Sequence, residues 1–377
     1  MATNNPKDCY TDECLTSLAT SLARVWKPHS RHKWCTPSSD EPSNGGGSPN
    51  SNNHTGLILV KVPKSASSTL AGLVLRIAER QQCSVRWQHA RASDIWAESY
   101  FNATFSKRHT YWVAPIRHPH TRALSSVYYH SVSLQAKRRN NKNNSTSTPS
   151  DAYILRQLDR VMNNYITDYT YVSQNGIHDM NMLPPIRIVQ DILEHYDFLL
   201  VVEDLEASLV VWSWLVDLPL ADLVLMSSKT TGSWYATNQG RCVPLVPPVV
   251  TPAIQEYWRK RMTTTTTSSS ASRHDDYTDR LLHATAHASL RRTIVHGMGQ
   301  DLFDERLAEF RRLQRAVQGA CGTTLDDSAP CSTQGVYQPN VAQRECYTRD
   351  FGCGHKCVNT AVDDYIIRHS IHSNGMN

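Results

Sequence analysis

The stretch Leu57–Ala71, LILVKVPKSASSTLA, constrains the fold more than any other part of this chain. Apolar β-formers (Leu57, Ile58, Leu59, Val60, Val62) run up to Pro63 and Lys64. A short Ser/Ala loop follows, then a helical pattern from about Ser68 to Glu79. A strand, a tight loop of small residues and a helix N-terminus together make an anion site. The first N–H groups of the helix have no carbonyl partner, and the positive end of the helix dipole points into the loop. Lys64 adds a mobile cation, and Ser65, Ser67, Ser68 and Thr69 add hydroxyl donors, with Ala66 keeping the loop narrow. The order is not that of a Walker A loop, where Lys follows the loop and Gly lets phosphate approach the backbone. Here Lys64 precedes the loop and Ser and Ala stand for Gly, which counts against magnesium-dependent nucleoside triphosphate chemistry. An ordinary turn whose serines cap the helix is the alternative reading of the same residues.

The pattern recurs along the chain. Cys83–Trp87 reads as a second strand ending at Gln88-His89, Thr110–Ile116 as a third, and Phe198–Val202 as a fourth ending in Glu203-Asp204. Helical periodicity covers about His120–Val132, Asp151–Asp168, Ile186–Glu194 and Glu206–Leu215. Two long helices, Asp275–Gly297 and Gly299–Ala320, break near Gly297-Met298-Gly299. Strands alternating with helices predict an α/β domain, a three-layer parallel sheet flanked by helices. The expected organisation is a flexible polar stalk over 1–54, one domain over 55–320, and a loop-rich, cysteine-rich extension over 321–377. Low-complexity insertions fall near 137–150 and 263–272.

The formal charge of +5 suits an anionic ligand but is too weak and diffuse for nucleic acid. The run Lys137-Arg138-Arg139 with Lys142 reads as a solvated loop. Ten cysteines and four N-x-[ST] sequons (Asn53, Asn102, Asn143, Asn144) favour an oxidising, secretory compartment. No run approaches the ~20 apolar residues of a membrane span, and MATNNPKDCYTDECL lacks the pattern of a signal peptide. The expectation is that the targeting segment is missing from this chain. Cys321, Cys331, Cys346, Cys353 and Cys357 crowd the C-terminal stretch. Their spacing fits a disulfide-stapled cap better than a zinc site, which prefers C-x2-C pairs. Their odd number predicts a partner elsewhere, with Cys242 the candidate.

Arg117 stands where the third strand ends, at the sheet edge where α/β domains bind ligands. Ser125 lies eight residues on, inside the next helix. A guanidinium fork with a hydroxyl can cradle a second phosphate, although a structural ion pair and a solvent-facing serine explain the same residues. Taken together, the segments resemble a known family. KVPKSASST (Lys61–Thr69) resembles the 5′-phosphosulfate loop of the Golgi carbohydrate sulfotransferases. IRHPHTRALSSVYYH (Ile116–His130) is similar to their 3′-phosphate motif, with Arg117, Pro119, Arg122, Ser125, Tyr128, Tyr129 and His130 in step. LLVVEDLEASLVVW (Leu199–Trp212), CVPLVPPVVTPAIQEYW (Cys242–Trp258) and the segment Asp275–Arg312 resemble, in the same order, parts of the galactosylceramide and galactose-3-O-sulfotransferases. His118 departs from the family's Asp or Glu, Ala66 from its Thr or Gly, and Ala253 from the Glu of its T-P-E.

The resemblance implies a P-loop nucleotide hydrolase-like sulfotransferase fold in the Golgi lumen, and a donor, 3′-phosphoadenosine 5′-phosphosulfate (PAPS), held at both ends. Lys64, Ser65, Ala66, Ser67, Ser68 and Thr69 would take the phosphosulfate, and Arg117 and Ser125 the 3′-phosphate. Lys64 would stabilise charge on the transferred group, and the scheme requires no metal. The acceptor would be a hydroxyl of a galactose-containing glycan or glycolipid. His89, in QHARA, is the candidate base, since an imidazole titrates near neutrality; a surface or core histidine is its alternative. Glu203 is the second candidate base, or else it orders the cofactor loop or the core. A P-loop-type kinase and a catalytically inactive glycan-binding relative are the competing functions.

Overall fold

The apolar run Leu57–Val60 forms β1 (Gly56–Val60), and every residue of it is buried. An apolar run without alternation belongs inside a parallel sheet covered on both faces. In the computed structural model, which describes residues 11–29, 34–35, 56–83, 85–88, 110–133, 149–161, 169, 183–224, 233–236, 241–263, 270–327, 331 and 355–374, that sheet has four strands. β2 (Val85–Gln88), β1, β3 (Thr110–Ile116) and β4 (Phe198–Val201) lie in that order, and all pairs are parallel. Leu57 lies opposite Val85 on one side and Tyr111 on the other, and Val113 lies opposite Phe198. β2 begins two residues later than expected, at Val85, after the Cys35–Cys83 disulfide.

Helices flank the sheet. α2 (Ser67–Gln81) buries Leu70, Leu73, Val74 and Ile77, a single 3.6-period stripe. α3 (Pro119–Val127) opens with Pro at its first position, where no N–H is needed, and passes into one π-helical turn, Tyr128–Val132. α4 (Asp151–Val161) and α5 (Pro185–His195) follow. α6 (Leu205–Leu215) is buried almost all round, and α7 (Leu220–Leu223) is a single turn. β5 (Ser233–Ala236) and β6 (Arg241–Pro244) form a separate antiparallel pair, followed by α8 (Pro252–Thr263). α9 (Ser270–Thr293) and α10 (Gln300–Asp327) are long. They are separated, as expected, by a π turn over Ile294–Met298 and by Gly299, whose φ of 90° favours glycine. None of the described helices is long and apolar enough to cross a membrane.

Three expectations are corrected. The flexible stalk over 1–54 does not hold for residues 12–35 where they are described. α1 (Asp12–Leu22) is capped by Thr11 and packs on α9, and Trp26 and Trp34 are buried in the core. The reason is a stripe at Leu15, Leu18, Ala19 and Leu22 amid polar neighbours, backed by two indoles whose burial outweighs the cost of ordering the chain. The C-terminal extension is not loop-rich over 355–374, because α11 (His355–Asn374) packs on α10 through Val358 and Val362, and α10 itself runs past residue 320. The insertion placed near 263–272 is narrower, since α8 ends at Thr263 and α9 begins at Ser270. The low-complexity core of the other insertion, 137–148, lies outside the described residues. Three disulfides with both cysteines among the described residues fasten the periphery: Cys35–Cys83, Cys321–Cys357 between α10 and α11, and Cys242–Cys331, which joins the C-terminal stretch to β6 as the cysteine count predicts.

Candidate functional site

β1 has β2 on one side and β3 on the other, so the chain reverses direction across the sheet between β1 and β3. Open parallel sheets bind ligands in the crevice beyond the strand C-termini at such a reversal. Lys61–Ala66 leave β1 at that edge, Arg117 and His118 leave β3 there, and Glu203 and Asp204 follow β4 beside them. The first contact across the crevice joins the two segments singled out in the sequence. Arg117 Nη1 donates to the Lys64 carbonyl at 3.1 Å. Burial lowers the Arg117 pKa and the nearby Glu203 charge works against that.

The β1–α2 loop is wound tightly. Lys64 and Ala66 both take the left-handed backbone region, at φ 60° and 56°, without being glycine. Such conformations persist only where surrounding contacts fix them, and they cluster at binding sites. The first intrahelical bond of α2 runs from Leu70 N–H to Ala66 O at 3.1 Å, so the N–H groups of Ser67, Ser68 and Thr69 precede the ladder. Ser65 is fully buried, and its Oγ meets no hydrogen-bond partner among the described residues. A buried hydroxyl without a partner costs about 1–3 kcal/mol, which an anion in the loop would offset. Lys64 Nζ lies 3.4 Å from the centroid of the Tyr129 ring, a cation–π contact with the π turn after α3.

Ser125 is half-buried on α3, and no hydrogen bond joins it to Arg117 among the described residues. His89 lies outside the described residues. Arg122 points inward instead: its Nη1 meets Tyr169 Oη at 3.3 Å, and that hydroxyl donates to Pro115 O at 2.9 Å. Arg122 therefore fixes α3 against β3.

Glu203 is held from several sides. His118 N–H donates to its Oε1 at 2.9 Å, Thr121 Oγ1 lies at 3.4 Å, and His283 Nε2 meets Oε2 at 3.1 Å. Ser208, one turn into α6, accepts from Val201 N–H and donates to Val201 O, which fixes the turn that presents Glu203. Burial pushes the Glu203 carboxyl up, but the bonds from His283 and His118 N–H outweigh it and bring the pKa down to about 2. A carboxylate so acidic is a poor proton acceptor near neutrality, so it is as an anchor for the Arg117–His118 turn that Glu203 fits the geometry. His118 has its ring between those of His120 and His283, at centroid distances of 5.1 and 5.2 Å. Burial, then the His283 and His120 rings, bring its pKa down to about 4. His120 stacks on Trp258 and lies 3.7 Å from Asp276. Among the described residues, no group of His, Cys, Asp and Glu is arranged to hold a metal ion.

These two shifts have one sign. His118 has a folded pKa near 4, below its ordinary 6.5, so the unfolded chain takes up the proton first as pH falls. Its contribution to stability is complete above about pH 6.5 and is lost towards pH 4. The Glu203 contribution is complete above about pH 4.5 and is lost towards pH 2. The urea midpoint should therefore fall steadily from pH 7 to pH 4, and His118→Asn should flatten that slope. A midpoint that rises on acidification would contradict the assignment.

The histidines on α9 were not legible as site residues, and the contact of Tyr129 with Lys64 was not foreseen although Tyr129 lies in a segment the sequence singled out. The only signal for the histidines is that His283 and His287 share one helical face, four residues apart. No protein-family model, curated protein or solved structure matches this chain.

Proposed function

We propose that this chain is a PAPS-dependent sulfotransferase acting on a hydroxyl of a galactose-containing glycan or glycolipid in the Golgi lumen. One observation carries the reading. The Lys64 loop and Arg117, each expected to grip one end of a single nucleotide, meet at the reversal point of a parallel sheet. The left-handed loop, the buried Ser65 hydroxyl and the start of α2 suit a phosphosulfate, and the disulfides fit an oxidising compartment. The sulfotransferase variant of the P-loop fold is part of the same proposal.

In this scheme the α2 N-terminus and Lys64 stabilise the charge that builds on the sulfuryl oxygens and on the bridging oxygen as the sulfur–oxygen bond lengthens. Arg117 holds the 3′-phosphate and, through the Lys64 carbonyl, keeps the loop in register with it. Positioning dominates such loose transition states. Isothermal titration with the desulfo nucleotide, 3′-phosphoadenosine 5′-phosphate (PAP), and with ATP tests the reading. Binding of PAP, with much weaker binding of ATP, is expected, together with transfer of radiolabelled sulfate from PAPS to lactose or galactosylceramide. Preference for ATP would replace the proposal with a kinase. PAP binding without transfer to any galactoside would leave a nucleotide-binding relative.

A further inference from the structure

The sequence offers His89 as proton acceptor, but another imidazole meets Glu203 just beyond β4 and lies beside the His118 ring. His283, on α9, is 13% exposed at its side chain, and its Nε2 meets Glu203 Oε2 at 3.1 Å. Against a carboxylate that nitrogen carries the proton and donates, so Nδ1 holds the lone pair. Nδ1 makes no hydrogen bond among the described residues. A base whose far nitrogen is fixed by a carboxylate is the arrangement by which hydroxyl groups are activated on many unrelated folds.

Position agrees with chemistry. α9 packs on β4 and α3, and its Asp279 and Leu282 line a small cleft with Ile116, Arg117, Pro119 and Arg122. His283 follows Leu282 directly and lies one turn on from Asp279. Its ring is 5.2 Å from that of His118, the neighbour of Arg117. His287, paired with Asp204 at 2.7 Å, repeats the arrangement one turn further along α9, and at 30% side-chain exposure it is the more solvated of the two.

Resting on the sulfotransferase reading, we infer that His283, held by Glu203, is the general base that takes the proton of the acceptor hydroxyl. As the acceptor oxygen forms its bond to sulfur, its proton passes to His283 Nδ1. The bond from sulfur to the bridging phosphate oxygen breaks with its electron pair, leaving PAP. Glu203 is then a positioning residue, which stabilises the imidazolium and fixes the ring through its other nitrogen.

His283→Gln is the informative variant, because its amide N–H can still donate to Glu203 while no basic nitrogen remains. With PAPS as donor and lactose or galactosylceramide as acceptor, kcat should fall about 10²–10⁴-fold. PAP affinity should stay within about twofold, since the change spares both phosphate grips. The acid limb of the kcat profile should disappear in His283→Gln and shift in Glu203→Gln. The charged and titratable groups around the dyad, His118 and Arg117 after β3, His120 on α3, and Asp276, Arg280 and His287 on α9, are unchanged in both. His287→Gln should transfer normally. If the unaltered protein binds PAP and transfers sulfate while His283→Gln keeps its rate and profile, or if His89→Ala alone abolishes the acid limb, the assignment to His283 is wrong and the sulfotransferase reading stands. If the unaltered protein neither binds PAP nor transfers sulfate, both readings fall.

Discussion

Lys64→Ala is expected to lower sulfuryl transfer by about 10²–10³-fold, the usual consequence of removing one charge-stabilising donor from a preorganised site. The loss should fall mainly on kcat, because in the proposed scheme Arg117 and the start of α2 still hold the nucleotide. The fold should survive, since Lys64 is half-buried and contributes its backbone carbonyl, not its side chain, to the contact with Arg117. Lys64→Gly sharpens the test. At φ 60° glycine relieves strain that lysine and alanine both bear, so this variant should match or exceed the native unfolding midpoint while being as inactive as Lys64→Ala. The Tyr129 ring beneath the ammonium supplies a graded companion. Tyr129→Phe keeps the ring face and should keep the rate. Tyr129→Leu should lose about 2–30-fold, corresponding to about 0.5–2 kcal/mol of cation–π attraction. Full activity in Lys64→Ala would remove this residue from the chemistry.

The largest effect on stability is expected away from the crevice, at Arg76. Its side chain is buried in α2 and donates to Ala221 O at 2.7 Å, Asp222 O at 3.1 Å and Val224 O at 2.7 Å, closing the end of α7. Its Nε also donates to Asn359 Oδ1 at 2.7 Å, which seats α11. Burial, with the Arg80 charge beside it, lowers its pKa to about 10, so it remains a cation at neutral pH. Arg76→Met fills most of the space but leaves three inward-facing carbonyls without their donor. Each such loss costs about 1–3 kcal/mol, and the sum in one network is about 3–5 kcal/mol. For a chain of this size the thermal midpoint should drop by roughly 4–6 °C, with α11 exchanging its amide protons earliest. An unchanged midpoint would mean that the carbonyls find other donors and that Arg76 is not the clasp it resembles.

What the sequence disclosed follows the range of the forces involved. β1, β3 and β4 were legible because strands buried on both faces must be apolar throughout, and LILV, TYWVAPI and FLLV have no other home. The loop after β1 and the turn after β3 were read as a pair because the resemblance assigns one end of a single ligand to each, and the structure brings them into contact although 53 residues separate Lys64 from Arg117. α1 was missed because its apolar stripe is short and set among Thr, Ser and Asp, whose composition resembles a linker. The pairing of His283 with Glu203 was missed because the two lie 80 residues apart and nothing local marks either as half of a dyad. Seventeen histidines offer too many combinations for spacing to choose among them. The cysteines gave more, since an odd number in one stretch obliges a bond to leave it, and Cys242 is where it goes.

The packing of the N-terminal segment bears on where a minimal working piece of this protein can be cut. A version begun at residue 55, just ahead of β1, looks natural on paper. It would remove two indoles from the interior, uncover the face of α9 that α1 occupies, and break the Trp26 N–H bond to Thr293. Since α9 also carries the imidazoles beside Glu203, a shortened chain would loosen the wall that faces the crevice even with every proposed binding residue still in place.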